Sequence, residues 1–130
     1  MMTNDNNGLS RADIATEDDI RVLVHRFYDK VRADDQLAPV FNAVIAGDEW
    51  PGHLQIMCDF WGTLLLYTRQ YTSDPMSKHM PLPIERAHFD RWLLLFGQTV
   101  DEHFLGEVAN EAKRRAANIA RVMNHLKSRS

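Results

Sequence analysis

Apolar residues in this chain recur every three to four positions, in blocks separated by polar, glycine-bearing or proline-bearing stretches. That spacing constrains the fold more than any other feature. Ile20, Leu23, Val24, Phe27 and Val31 form the first block, and residues so spaced share one face of a helix that must find a core. Thr16 stands ahead of it with Asp19 three residues on, the pattern of a capping box, and Glu17 and Asp18 suit the positive end of the helix dipole. The helix is expected to end near Ala33-Asp34-Asp35. A short second element carries Leu37, Val40, Phe41, Val44 and Ile45, with Gly47 expected to stop it. Glu49-Trp50-Pro51 opens a third, where Pro51 is tolerated only in the first turn. Its inward stripe is Leu54, Met57, Phe60, Trp61, Leu64 and Leu65, and His53 adjoins that stripe one turn before Met57.

Between Tyr71 and Pro83 the pattern breaks, because Pro75, Pro81 and Pro83 each disfavour a continuing helix. Periodicity returns with Ile84, His88, Phe89, Trp92, Leu93, Phe96 and Val100. Gly106 then marks a corner, and a last amphipathic helix carries Val108, Ala112, Ala116, Ile119, Ala120, Met123 and Leu126. Lys113, Arg114 and Arg115 lie on its polar face. No β-rich segment and no internal repeat stand out. The expected fold is all-α, with four substantial helices, one short element and a proline-rich loop. At 130 residues the chain suits one domain. The Asn-, Asp-, Gly- and Ser-rich stretch from Met1 to about Ala15 reads as a flexible leader to a domain spanning residues 16–130.

Several function classes are excluded at this level. The net charge is −3, and basic residues alternate with acidic ones rather than forming a stripe, which argues against a nucleic-acid partner. No apolar run approaches the roughly 20 residues needed to span a bilayer, and the polar opening stretch has no apolar signal core. Cys58 is the only cysteine, so an internal disulfide and a cysteine-rich zinc site are both out of reach. A reducing cytoplasm is the simplest home. Glycines occur singly, which leaves no phosphate-cradling loop.

The histidines are the most informative polar residues. His79 sits in Ser77-Lys78-His79-Met80-Pro81-Leu82-Pro83, where prolines stiffen the backbone. A neutral imidazole there can offer one nitrogen to a metal while the other bonds a carbonyl; the plainer alternative is a surface-loop histidine. His53 is expected to face the same side as Phe60 and Trp61, or else to sit at the core boundary. Tyr28 reads either as a packed tyrosine with its hydroxyl at the surface or as a ligand-polarising group, and Trp92 reads by default as core. Glu85-Arg86-Ala87-His88 is a Glu-x-x-His pair, but a di-iron site needs a second one and none occurs. No His-Glu-x-x-His zinc motif is present either. His25 and His103 read as surface residues.

Taken in order, Phe27-Tyr28-Asp29-Lys30-Val31-Arg32, Pro39-Val40-Phe41-Asn42, Glu49-Trp50-Pro51-Gly52-His53, Phe60-Trp61, Lys78-His79-Met80-Pro81-Leu82 and His88-Phe89-Asp90-Arg91-Trp92-Leu93-Leu94-Leu95-Phe96 resemble the group III truncated haemoglobins. These are bacterial globins shortened to a two-over-two helical sandwich, and the resemblance covers about Thr16 to Leu126. It implies that His79 is the proximal ligand of haem iron and that Tyr28, His53 and Trp92 are the polar distal residues. Phe27, Met57 and Phe60 would line the apolar part of the haem cavity, with Met57 where an aliphatic residue is usual. The absence of paired glycines between helices fits group III better than the other truncated groups.

The resemblance further implies reversible binding of O₂, CO, NO or other small haem ligands, and a reductase as partner. No Cys-x-x-Cys-His occurs, so haem b rather than covalently attached haem is expected. Lys78 and Arg69 are candidates to meet the haem propionates. Tyr28 and Trp92 together suit slow ligand release, which favours nitric oxide dioxygenation or peroxidase-like turnover over oxygen transport. Two other classes compete: a cofactor-free helical interaction module whose aromatics are only core, and a metal-only bundle around His88, for which carboxylates in register are too few. Space between the helices that start near Trp50 and Ile84 separates a globin from a filled bundle.

Overall fold

The computed structural model describes residues 11–67 and 85–129, leaving aside the side chains of residues 126–129. Among the described residues the regular structure is helical: α1 (Glu17–Ala33), α2 (Ala38–Asn42), a 3₁₀ turn at Gly47–Glu49, α3 (Trp50–Leu66), α4 (Arg86–His103) and α5 (Glu107–Arg129).

The start of α1 is the expected capping box. The Thr16 hydroxyl accepts from the Asp19 N–H at 3.1 Å, and the Asp19 carboxylate accepts from the N–H groups of Thr16 and Ala15. Four orphan donors begin any helix, and this exchange satisfies donors at its entrance reciprocally. The inward face then buries Ile20, Leu23, Val24, Phe27, Tyr28 and Val31.

The second element differs from its sequence-based outline. α2 ends at Asn42, well ahead of Gly47, and Val44 is 46% exposed. The chain tightens there through a bond from the Val44 N–H to the Phe41 carbonyl, and the Glu49 carboxylate then accepts from the Ala46 N–H. Gly47 therefore opens the next turn instead of closing the last one. Pro51 occupies the first turn of α3 as expected. α3 ends on Tyr67, which adopts the left-handed conformation (φ 60°, ψ 37°) commonly filled by glycine.

His88 has a structural task. Its Nδ1 accepts from the Glu85 N–H at 2.9 Å, capping α4, so the Glu-x-x-His spacing is a helix entrance here. α5 takes its cap from far away in sequence: the Asp13 carboxylate accepts from the N–H groups of Val108 and Ala109 at 2.9 and 2.8 Å. Gly106, at φ 149°, makes the expected corner, and a Cβ on it would run into the Asp13 carboxylate. Ile14 is buried, Ala12 accepts from the Leu105 N–H, and Arg11 donates to the Asp101 carbonyl. The packed chain thus begins ahead of the boundary near Ala15 that composition suggests.

Helix α1 lies between α3 and α4, α4 pairs with α5, and α3 meets α5 more lightly. Along their backbones α3 and α4 scarcely approach each other; they meet through the Trp61–Phe96 ring stack, with centroids 4.9 Å apart. The outward rim of α3 is neither core nor surface: Leu54, Phe60 and Leu64 are half-buried beside the buried Met57, Trp61 and Leu65. No helix among the described residues is long and apolar enough to cross a membrane.

Candidate functional site

Consecutive residues on a helix project about 100° apart, so Phe27 and Tyr28 on α1 serve different neighbours. Phe27 meets α4, with ring centroids 5.4 Å from Trp92 and 5.1 Å from Phe96, both edge to face. Tyr28 turns towards α2 and α3. Its ring lies 6.2 Å from Phe41, 5.8 Å from Trp50 and 5.4 Å from His53. Arrangements of this kind add about 0.5–1.5 kcal/mol per pair beyond the area they bury. The position of the Tyr28 ring is therefore over-determined by three rings on two separate elements.

The Tyr28 hydroxyl does not lie where a surface reading of this residue would put it. Tyr28 is 1% exposed, so the hydroxyl is not at the surface, and it has no hydrogen-bond partner among the described residues. Burial raises its pKa well above the ordinary phenol value. The Trp92 indole comes near enough to offset part of that rise, although the hydroxyl completes no hydrogen bond of normal geometry. Tyr28 consequently stays protonated across the physiological range and offers an O–H donor throughout. The Trp50 indole N–H is likewise buried without a partner among the described residues. A buried polar group left so costs about 1–3 kcal/mol, and structures retain such groups where a ligand or a function needs them.

His53 stands beside these donors. It is one turn into α3, half-buried, with its ring edge to face with both Tyr28 and Trp50. Met57 follows on the same side of α3 and is 4% exposed, and Phe60 follows that, half-buried and edge to face with Trp61. Trp92 is 8% exposed and stacks on Phe96. The structure thus brings Phe27, Tyr28, His53 and Trp92 into one aromatic group, with Met57 and Phe60 further along α3. His79 and the two propionate candidates, Arg69 and Lys78, lie outside the described residues. His25 is exposed and His103 half-buried at the end of α4.

Sequence reasoning treats Trp50 only as a helix opener, yet it is 1% exposed and sits within the polar group. Its three-residue spacing from His53 is the signal that could have marked it. Arg32, at the end of α1, places its guanidinium carbon 4.6 Å from the Trp50 ring centroid, a tertiary contact with no trace in the sequence. A separate cleft between the start of α1 and α3 is lined by Glu17, Asp18, Arg21, Cys58 and Asp59, among others, and by none of the candidate residues.

Two features fit these residues to a flat apolar prosthetic group carrying a small polar ligand. One is the incompletely covered apolar rim of α3, and the other is a buried hydroxyl donor lacking an acceptor among the described residues. Comparison with known proteins points the same way. The family described as bacterial-like globin matches residues 12–127. A group 3 truncated haemoglobin of Campylobacter jejuni is 35% identical over 107 residues, covering 80% of this chain and 84% of that protein. The crystal structure of a group III truncated haemoglobin from Campylobacter jejuni superposes with a TM-score of 0.82 at 31% identity, covering 89% of this chain and 94% of that one.

Proposed function

From the premise that this chain belongs to the group III truncated haemoglobins, within the bacterial-like globins, and is a haem-binding globin, we propose that it holds haem b through His79 and binds O₂ or another diatomic ligand beside Tyr28, His53 and Trp92. The observation that carries this reading is the buried Tyr28 hydroxyl with no acceptor among the described residues. When bound, ferrous haem supplies an open iron position and the electron density that makes a diatomic gas a hydrogen-bond acceptor.

The chain's own residues do the rest. Tyr28 donates through its hydroxyl, held protonated by burial. Trp92 adds an indole N–H, which can only donate. Phe27, Met57 and Phe60 keep water from the apolar side, and a dry surround strengthens each of these bonds. A donor of this kind contributes on the order of 1 kcal/mol or more, enough to slow ligand loss several-fold. Slow release suits turnover of the held ligand, such as nitric oxide dioxygenation or peroxide chemistry with electrons from a reductase, better than oxygen transport. Arg69 or Lys78 is assigned to the propionates. The single half-buried Cys58 suits a reducing compartment such as the cytoplasm.

The test is an absorption spectrum of the purified chain before and after adding haemin, with His79→Ala alongside. We expect a stoichiometric Soret band that shifts on reduction and again with CO, and that weakens or changes form in the variant. A wild-type chain that takes up no haem would overturn the reading in favour of a cofactor-free helical module.

A further inference from the structure

Three rings form a closed triangle at the junction of α1 and α3. Tyr28, His53 and Trp50 lie with centroids 5.4, 5.5 and 5.8 Å apart, and His53 stands at 85° and 89° to the other two. Tyr28 and Trp50 are each 1% exposed, whereas His53 is half-buried. Tyr28 and Trp50 thus form a buried wall against which the half-buried imidazole rests. Helical spacing accounts for the contact of Trp50 with His53, but not for the choice of tryptophan. A phenyl ring would pack there without burying an indole N–H that finds no acceptor among the described residues.

What an indole has over a phenyl ring is a larger and more electron-rich face, the best of the aromatic side chains for binding a cation. The structure uses that face. The Arg32 guanidinium sits over Trp50 at 4.6 Å, reaching across from the end of α1, while the Arg32 side chain itself is exposed. The indole is thereby pinned from α1, the same helix that carries Tyr28. The His53 wall and the Tyr28 hydroxyl are thus referenced to one rigid element.

We propose that Trp50, pinned by Arg32, is a positioning residue that holds the His53 imidazole edge-on against Tyr28 and so fixes the Tyr28 hydroxyl for a bound ligand. The consequence for the ligand rests on the haem reading above; the clamp on His53 does not.

The experiment therefore has two readouts on the full-length chain. In the haem-free chain, the His53 imidazole C–H resonances, assigned with His53→Gln, should lie away from those of the exposed His25 because of the neighbouring rings. Trp50→Leu should move them towards the His25 values, and Trp50→Phe and Arg32→Met should each shift them the same way as Trp50→Leu by less. Arg32→Met alters only an exposed side chain, which keeps the clamp testable if Trp50→Leu fails to fold. In the haem-loaded chain, Trp50→Leu should raise the O₂ dissociation rate about fivefold, as loss of one such ring contact allows, and His53→Ala should abolish that increment. His53 resonances unmoved in both Trp50→Leu and Arg32→Met would overturn the proposal. So would an undiminished Trp50→Leu effect on O₂ release in the His53→Ala background. A chain that binds no haem defeats the parent reading, and the resonance shifts then decide the clamp alone.

Discussion

Replacing Tyr28 with phenylalanine should make the haem-free chain more stable while making the haem-loaded protein hold its ligand less well. The ring contacts that fix Tyr28 all belong to its phenyl ring: Phe27 at 4.8 Å, His53 at 5.4 Å, Trp50 at 5.8 Å and Phe41 at 6.2 Å. Tyr28→Phe keeps every one of them and removes only a hydroxyl that is buried and lacks a partner among the described residues. Removing an unsatisfied buried group recovers about 1–3 kcal/mol. A residual attraction between Trp92 and the hydroxyl offsets some of this, so we expect a gain of ~1–2 kcal/mol. For a domain of this length each kcal/mol moves Tm by roughly 3–5 °C. Urea titration and thermal melts of haem-free wild type and variant measure it directly. In the haem-loaded state the same change should raise the O₂ dissociation rate several-fold, read by stopped-flow displacement with CO. A haem-free variant less stable than wild type by ~1 kcal/mol would show that the hydroxyl has a partner within the chain. An unchanged O₂ dissociation rate would remove Tyr28 from the ligand's surroundings.

Three other perturbations test separate parts of the structure. Arg91 grips the Asp34 carboxylate at 2.7 Å through two nitrogens, and Leu37 and Gln36 donate their N–H groups to it. Burial pushes Asp34 up, but those donors outweigh it and hold its pKa below the usual carboxylate range. The resulting stability is therefore present above the unfolded Asp pKa of about 4 and lost as pH falls through the lower folded value. Asp34→Asn should cost ~1–2 kcal/mol at pH 7, and in denaturant titrations its deficit should shrink steadily in acid; a deficit equal at pH 7 and pH 2 would refute the linkage. Gly106→Ala should destabilise by more than ~1 kcal/mol, since its φ of 149° and the Asp13 carboxylate both oppose a Cβ, and a neutral result in thermal melts would count against that corner. Burial, with Asp59 adding to it and Arg21 opposing, pushes the Cys58 thiol from 9.0 to about 11. Its thiolate fraction at pH 8 is then about 100-fold below that of an ordinary thiol, so a thiol reagent should react correspondingly slowly in the folded chain and at a normal rate in denaturant.

Local chemistry explains which parts of this molecule could be read from its sequence. The capping box at Thr16 and Asp19 and the stripe from Ile20 to Val31 involve residues within a few positions of one another, and they appear in the structure as expected. Pro51 and Gly106 act through their own backbones, and they too were legible. Gly47 does not stop α2, because the bond that ends that helix early is made by Val44 and Phe41, which carry no end signal. The buried state of the Tyr28 hydroxyl was hidden for another reason: helical periodicity reports the face of a residue, and α2 and α3 decide whether the far end of its side chain is covered. Trp50 and Arg32 are 18 residues apart in sequence and meet only once α1 and α3 are packed. The resemblance implies that Tyr28, His53 and Trp92 form one group, and the ring contacts of Phe27 and Tyr28 reach Trp92 and His53. The assignment of His79 rests on the resemblance.

The cap that Asp13 provides to α5 also sets a schedule. Its carboxylate bonds to N–H groups 95 and 96 residues further along. During synthesis at about 5–20 residues per second, Asp13 is made roughly 5–20 s before its partners exist. Throughout that interval the start of α1 and the buried Ile14 have no corner to close against. The opening turn of α5 therefore bolts down the segment ahead of α1, and a nascent protein stopped short of Val108 would leave Asp13 without either of these partners.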